Sequence, residues 1–155
     1  MKEKALIPFS RRALSIIAGY GFVLNAIWEF AQAGPLYDMW AKVSLASGLF
    51  YITMAIIGDV FIVLGVSTVA GWTAGTSNML ALSWKASFSM LTIGFIAGFF
   101  LEWAAKAMNW WTYNELMPTI TLFGETVGLS PLLQVTFLPF LSVFLAIKFG
   151  NPLRS

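Results

Sequence analysis

Three carboxylates in this chain stand where water is scarce. Glu29, Asp59 and Glu102 each fall inside a long apolar run, whereas Glu3, Asp38, Glu115 and Glu125 lie in the segments between runs. An ionisable side chain within an apolar span is a functional candidate by default, because desolvation makes it costly unless it is paired or used. Amides accompany the acids. Asn25, Glu29 and Gln32 follow at i, i+4 and i+7, which places them on one face of a helix, and Gln134 lies in a fourth apolar run. The chain has no His and no Cys. That excludes a thiol nucleophile, a disulfide frame, an iron–sulfur cluster, and His-ligated haem, copper or typical zinc sites. We assign no metal site and expect no cofactor. What remains is carboxyl, amide, hydroxyl and aromatic chemistry. A carboxyl kept neutral by desolvation donates a proton, a charged neighbour accepts one, and aromatic faces stabilise cations. This combination suits protonation of an isoprenoid double bond followed by cyclisation, hydration or isomerisation. The candidate catalytic residues are therefore Glu29, Glu102 and Asp59. Asn25, Gln32, Tyr37, Trp110, Trp111, Tyr113 and Gln134 are the candidate ligand-binding residues.

The elements that must position them are membrane helices. Over 155 residues the chain is 59% hydrophobic and only 10% charged, with a mean hydropathy of +0.80, far from the soluble average of about 25% charged. The expected fold is all-α, a single transmembrane domain over 1–155 built as a four-helix bundle. The spans are placed at about 13–34, 43–70, 86–106 and 130–149, each close to the length that crosses a bilayer. Gly34-Pro35 should end the first helix, since glycine caps and proline cannot continue. Gly58-Asp59 should interrupt the second, and Gly71 to Asn78 reads as a polar connector. Gly94 and Gly98 form a close-packing row that Glu102 continues, so Glu102 should face a neighbouring helix. Residues 107–129 are too polar for a span and too aromatic for a solvated loop, and a re-entrant or interface-hugging cap is expected there. Ser130-Pro131 starts the fourth helix, and Pro139 should kink it by freeing the Val135 carbonyl. Ala31-Gln32-Ala33 mimics a signal-peptide cleavage site, but Glu29 and Gln32 are poor company for one.

Charge counting gives an orientation. Lys2, Lys4, Arg11, Arg12, Lys85, Lys148 and Arg154 fall on one side, and only Lys42 and Lys106 on the other. Both termini should then be cytoplasmic, in a bacterial inner membrane. The same placement explains the basic balance, net +2, without any nucleic-acid partner. Glu29 and Glu102 come late in outward-running helices and Gln134 early in an inward-running one, so all three reach the same outer half. Asp59 should lie near midplane, below that cluster. The aromatic stretches 35–40, with Tyr37 and Trp40, and 110–113 would roof the pocket. A plainer role also exists for Glu102, which stands four residues before Lys106 in the favourable order for an ion pair. A short echo, Trp28-Glu29-Phe30-Ala31 against Leu101-Glu102-Trp103-Ala104, is compatible with two helical hairpins of like design.

Glu102, Trp111-Thr112-Tyr113, Pro118 and Gly128-Leu129-Ser130-Pro131-Leu132 resemble the small multi-span carotenoid enzymes, the heterodimeric lycopene cyclases and bacterioruberin-type hydratases. The resemblance covers about a fifth of the chain and implies acid–base work on an isoprenoid. It breaks at Leu133-Gln134, where those enzymes carry an acidic pair, so Gln134 inherits no acid's role. Trp28 to Gln32, Pro35-Leu36-Tyr37, Gly58-Asp59 and Gly128 to Gln134 together also resemble a family of uncharacterised small bacterial four-span membrane proteins. The four-span sterol-isomerase family is similar in size and logic, though the missing histidine sets this chain apart from its isomerases. Three readings stay open: an isoprenoid-modifying enzyme, a non-catalytic subunit of a larger membrane assembly, and a binder or carrier of a small apolar ligand. The expected partners are accordingly a membrane lipid or isoprenoid, or other membrane subunits.

Overall fold

The computed structural model describes residues 9–38, 42–75, 78, 79 and 81–150. It contains four long helices, α1 (Arg11–Leu36), α2 (Leu45–Ala74), α3 (Trp84–Ala107) and α4 (Leu129–Phe149), each long and apolar enough to cross a membrane. This is an all-α architecture of the integral membrane class. Serines start three of the helices. The hydroxyls of Ser10, Ser44 and Ser83 accept from the amides of Ala13, Ser47 and Ala86, satisfying donors that the first turn leaves free. α4 begins differently. Its first amide, on Leu129, donates to the Pro118 carbonyl at 2.8 Å, and Pro131 sits in the first turn where its missing N–H costs nothing.

α4 packs against all three other helices, while α1 and α3 occupy opposite corners of the bundle. Close packing is concentrated at one end. Ile17, Val63, Met79, Met90, Val143 and Ala146 are buried there in one apolar core. Toward the other end a second, small cluster, Ala33, Ile52 and Ile56, joins α1 to α2. Outward faces carry large apolar side chains such as Phe22, Phe30, Phe61 and Phe88, all well exposed; a band of this kind suits lipid, not water.

The structure adjusts several sequence expectations. α1 runs on through Gly34 and Pro35 to Leu36, because proline in a last turn removes only one backbone bond and Asn114 satisfies the carbonyls left over. α2 is unbroken at Gly58-Asp59 and continues to Ala74, absorbing the first half of the expected connector. α4 likewise stays helical through Pro139, and the carbonyl of Val135 that this proline frees lies against Gly94 of α3. A Cβ built on Gly94 would stand 2.6 Å from that oxygen, and one on Gly98 would stand 3.2 Å from Leu132 Cδ1. The two glycines thus set the α3–α4 approach, and Glu102 follows them on the same buried face.

The segment between α3 and α4 holds a feature the all-α reading missed. β1 (Thr119–Leu122) and β2 (Glu125–Gly128) form an antiparallel hairpin with Leu122 opposite Glu125. Its two-residue loop, Phe123-Gly124, has φ of 53° and 83°, the pair of positive values that a type I′ turn requires. The Phe123 ring meets Phe99 of α3 edge-on at 5.7 Å, which folds the hairpin tip back along the bundle.

Candidate functional site

At the hairpin end the helices part around a cavity of about 590 Å³. Its polar wall is a single hydrogen-bonded network. Gln134 of α4 sits at the centre and is 2% exposed. Its Nε2 lies 2.8 Å from Glu29 Oε1, 2.8 Å from Asp59 Oδ2 and 3.0 Å from Asn25 Oδ1, while its Oε1 accepts from Gln32 Nε2 at 2.9 Å. Gln32 is saturated. Its Nε2 also donates to Glu29 Oε1 at 2.8 Å, and its Oε1 accepts from Trp28 Nε1 at 3.2 Å and Ser130 Oγ at 2.8 Å. Asn25 is oriented in turn, its Nδ2 donating to the Gly21 carbonyl at 2.8 Å. The helix face Asn25, Glu29 and Gln32 is therefore used as its spacing suggested.

Gln134 brings the carboxyls of Glu29 and Asp59 together, one oxygen of each standing 2.8 Å from the same amide nitrogen. Two carboxyls this close repel as a pair of anions and are eased by a single shared proton. Amides, not cations, surround the pair. Asp59 stands level with Glu29 and Gln134 instead of below them, because the middle of α2 is where that 30-residue helix passes the network.

Glu102 occupies a separate wall on α3 and is 2% exposed. Its Oε2 accepts from the Tyr113 hydroxyl and from the Gly128 amide, the latter at 3.0 Å. The alternative, a Glu102–Lys106 pair, does not form. Lys106 points outward, 3.8 Å from Glu125 and 3.4 Å from the Thr126 carbonyl, because buried Glu102 is claimed by donors from the hairpin and the strand leading to it.

Two connectors close the top. Tyr37 and Tyr113 pair as an antiparallel bridge with their rings edge-on at 5.7 Å. Asn114 donates from Nδ2 to the Pro35 carbonyl at 2.6 Å and from its amide to the Leu36 carbonyl at 3.2 Å, so it caps α1 from the far connector. Lys42 donates to Thr112 Oγ1 at 3.1 Å and lies 3.8 Å from Asp38. Burial, and then the charges of Glu102 and Glu29, push the Tyr37 hydroxyl above the ordinary tyrosine value. Burial and the bond to Glu102 do the same to Tyr113. Both stay neutral and able to donate.

Of the ten candidates, Glu29, Gln32, Tyr37, Asp59, Glu102, Trp110, Trp111 and Gln134 line this one cavity. Asn25 and Tyr113 do not; they stand behind Gln134 and Glu102 and hold them. Trp40 lies outside the described residues. Lys42 and Thr112 at the mouth, together with Ser130 and Trp28 behind Gln32, were not singled out from sequence. Lys42 carried a signal in its spacing from Asp38, i to i+4, and Trp28 the same spacing to Gln32, whereas Ser130 carried none beyond its polarity. Among the described residues no three His, Cys, Asp or Glu side chains gather as a metal site.

Fold and site together define a four-helix membrane bundle with an acidic, aromatic-lined pocket at one end. No protein-family model, curated protein or solved structure matches the chain.

Proposed function

We propose that this protein binds an isoprenoid lipid in the cavity and moves a proton on it. One observation carries the reading: Glu29 and Asp59 converge on one amide nitrogen, each at 2.8 Å, on the wall of an apolar, aromatic cavity, with Glu102 on another wall of the same space. The pair delivers its proton to one carbon of a double bond. The π electrons form the new C–H bond and leave a cation on the adjacent carbon, which the faces of Trp110, Trp111 and Tyr37 stabilise. Loss of a neighbouring proton to Glu102 then forms a new double bond, shifted or ring-closed, and the formula is unchanged. Oε1 of Glu102 takes that proton, since Oε2 is already engaged twice. Water at the mouth beside Lys42 and Thr112 returns it to the pair. No oxidant or reductant is needed. By the charge rule the termini are cytoplasmic and the pocket opens at the outer face of a bacterial inner membrane.

The test starts from lipid extracts of the purified protein, analysed by mass spectrometry for a co-purifying isoprenoid. Glu29→Gln and Glu102→Gln should each slow conversion of that lipid by about 10²–10⁴-fold, the usual worth of a positioned acid or base, with its binding retained. Full turnover by Glu29→Gln would overturn the proposal.

A further inference from the structure

Interior glycines weaken a helix by about 1 kcal/mol relative to alanine, so each one invites a reason. Gly94 and Gly98 have theirs in the touching backbone and side chains of α4. Gly58 and Gly65 have no such neighbour: a Cβ on either meets no heavy atom within 4 Å. They stand seven residues apart on α2, on one face. Gly58 lines the cavity, and Gly65 lines a second hollow of about 380 Å³ between α2 and α3, with Val69, Ile93 and Ala97. Ile62 and Leu101 border both spaces, so the groove adjoins the cavity and only these two side chains stand between them. From Ile62 to Val69 the groove follows α2 for two turns, roughly 11 Å at 1.5 Å per residue. It carries no ionisable side chain and faces outward between two helices at a depth where the surroundings are acyl chains.

Resting on the isoprenoid reading above, we infer that the ligand is a long-chain amphiphile. Its reacting end occupies the acidic cavity and its hydrocarbon tail runs down the α2–α3 groove, away from the hairpin end. The missing side chains at Gly58 and Gly65 make the room for that tail. A lateral groove also lets the ligand enter from the membrane, without passing the polar mouth. A compact ligand would need only the cavity, and a water-soluble one would have no use for the groove.

Equilibrium binding of radiolabelled geraniol and geranylgeraniol to the protein in nanodiscs, with protein-free discs subtracted, tests this. The two alcohols share a head and differ by two isoprene units. At equal mole fraction in the lipid the wild type should bind the longer one at least about threefold more tightly, since the gain over surrounding acyl chains comes from close packing in the groove and not from leaving water. Gly65→Phe should abolish that preference while leaving geraniol within about twofold, and Gly65→Ala should preserve it. Ala97→Phe fills the groove from α3 and should repeat the Phe result, so the test survives if one variant does not fold. Equal binding of both alcohols by the wild type overturns the groove assignment alone, as does a retained preference in both Phe variants. Binding of neither alcohol overturns the isoprenoid reading as well.

Discussion

Replacing Gln134 by Leu removes the centre of the polar network while keeping nearly the same volume. At most three hydrogen bonds go with it: the two N–H groups of Nε2 serve three acceptors, on Asn25, Glu29 and Asp59, and Oε1 accepts from Gln32. Interhelical hydrogen bonds in membranes average roughly 0.6 kcal/mol each, which sets a floor of about 1.8 kcal/mol. The consequences for the partners differ. Glu29 keeps Gln32 as donor and Gln32 keeps Glu29, but Asn25 Oδ1 and Asp59 Oδ2 lose their amide donor. Orphaning a buried acceptor costs about 1–3 kcal/mol in place of that mean, so two orphaned acceptors and one ordinary bond together give an expected destabilisation of about 3–6 kcal/mol. The assay is reversible SDS unfolding in bicelles, followed by near-ultraviolet circular dichroism of the tryptophans. A double variant, Gln134→Leu with Asn25→Leu, sharpens it. Removing both partners of one bond should cost less than the two single changes together by at least about 0.5 kcal/mol. If Gln134→Leu shifts stability by less than about 0.5 kcal/mol, or if the two changes simply add, Gln134 does not organise the site as described.

Gly94→Ala should destabilise the bundle by about 1–3 kcal/mol, since its Cβ would meet the Val135 carbonyl at 2.6 Å; Gly19→Ala, where nothing lies within 4 Å, should be neutral or stabilising in the same unfolding assay. Asn114→Ala removes the bridge from one connector to the α1 carbonyls, and hydrogen exchange should quicken at residues 36–38 and 112–114 while the core around Met90 stays protected. For Tyr113 the folded hydroxyl lies above its unfolded value, so the folded state holds its proton longer. Stability is then intact below about pH 10 and falls as pH climbs past the unfolded tyrosine value. Tyr113→Phe should flatten that alkaline decline in a pH series of thermal unfolding, and an unchanged slope would contradict the burial assigned to it.

The shared end of Glu29 and Glu102 was legible, though not that of Asp59, because it depends on two things a sequence carries openly, apolar run length and the alternating direction of successive spans. Glu29, Glu102 and Gln134 needed only those to be placed at one end of a bundle. The glycine row of α3 was legible for a similar reason, its period of four naming a face before any partner is known. Partner choice was not. The local rule for helices offers Lys106 to Glu102, but Tyr113 and Gly128 win because burial of Glu102 favours short-reach donors that stay with it inside, and their positions depend on the hairpin. The hairpin itself was hidden by its turn, where Phe123 occupies a left-handed position that usually advertises itself with Asn or Gly.

Amide partnership has a chemical consequence that a cation would have reversed. An arginine or lysine beside Glu29 and Asp59 would hold both as carboxylates and leave no proton to share. Gln32 and Gln134 instead donate neutral hydrogen bonds, which steady the pair's geometry without neutralising a second charge. The nearest basic residue on the cavity wall, Lys42, is held at the mouth by Thr112 and Asp38, away from the pair. Two carboxyls gathered on one amide nitrogen with no cation between them favour sharing a proton, and an amide shell of this kind is what the proposed acid–base role requires.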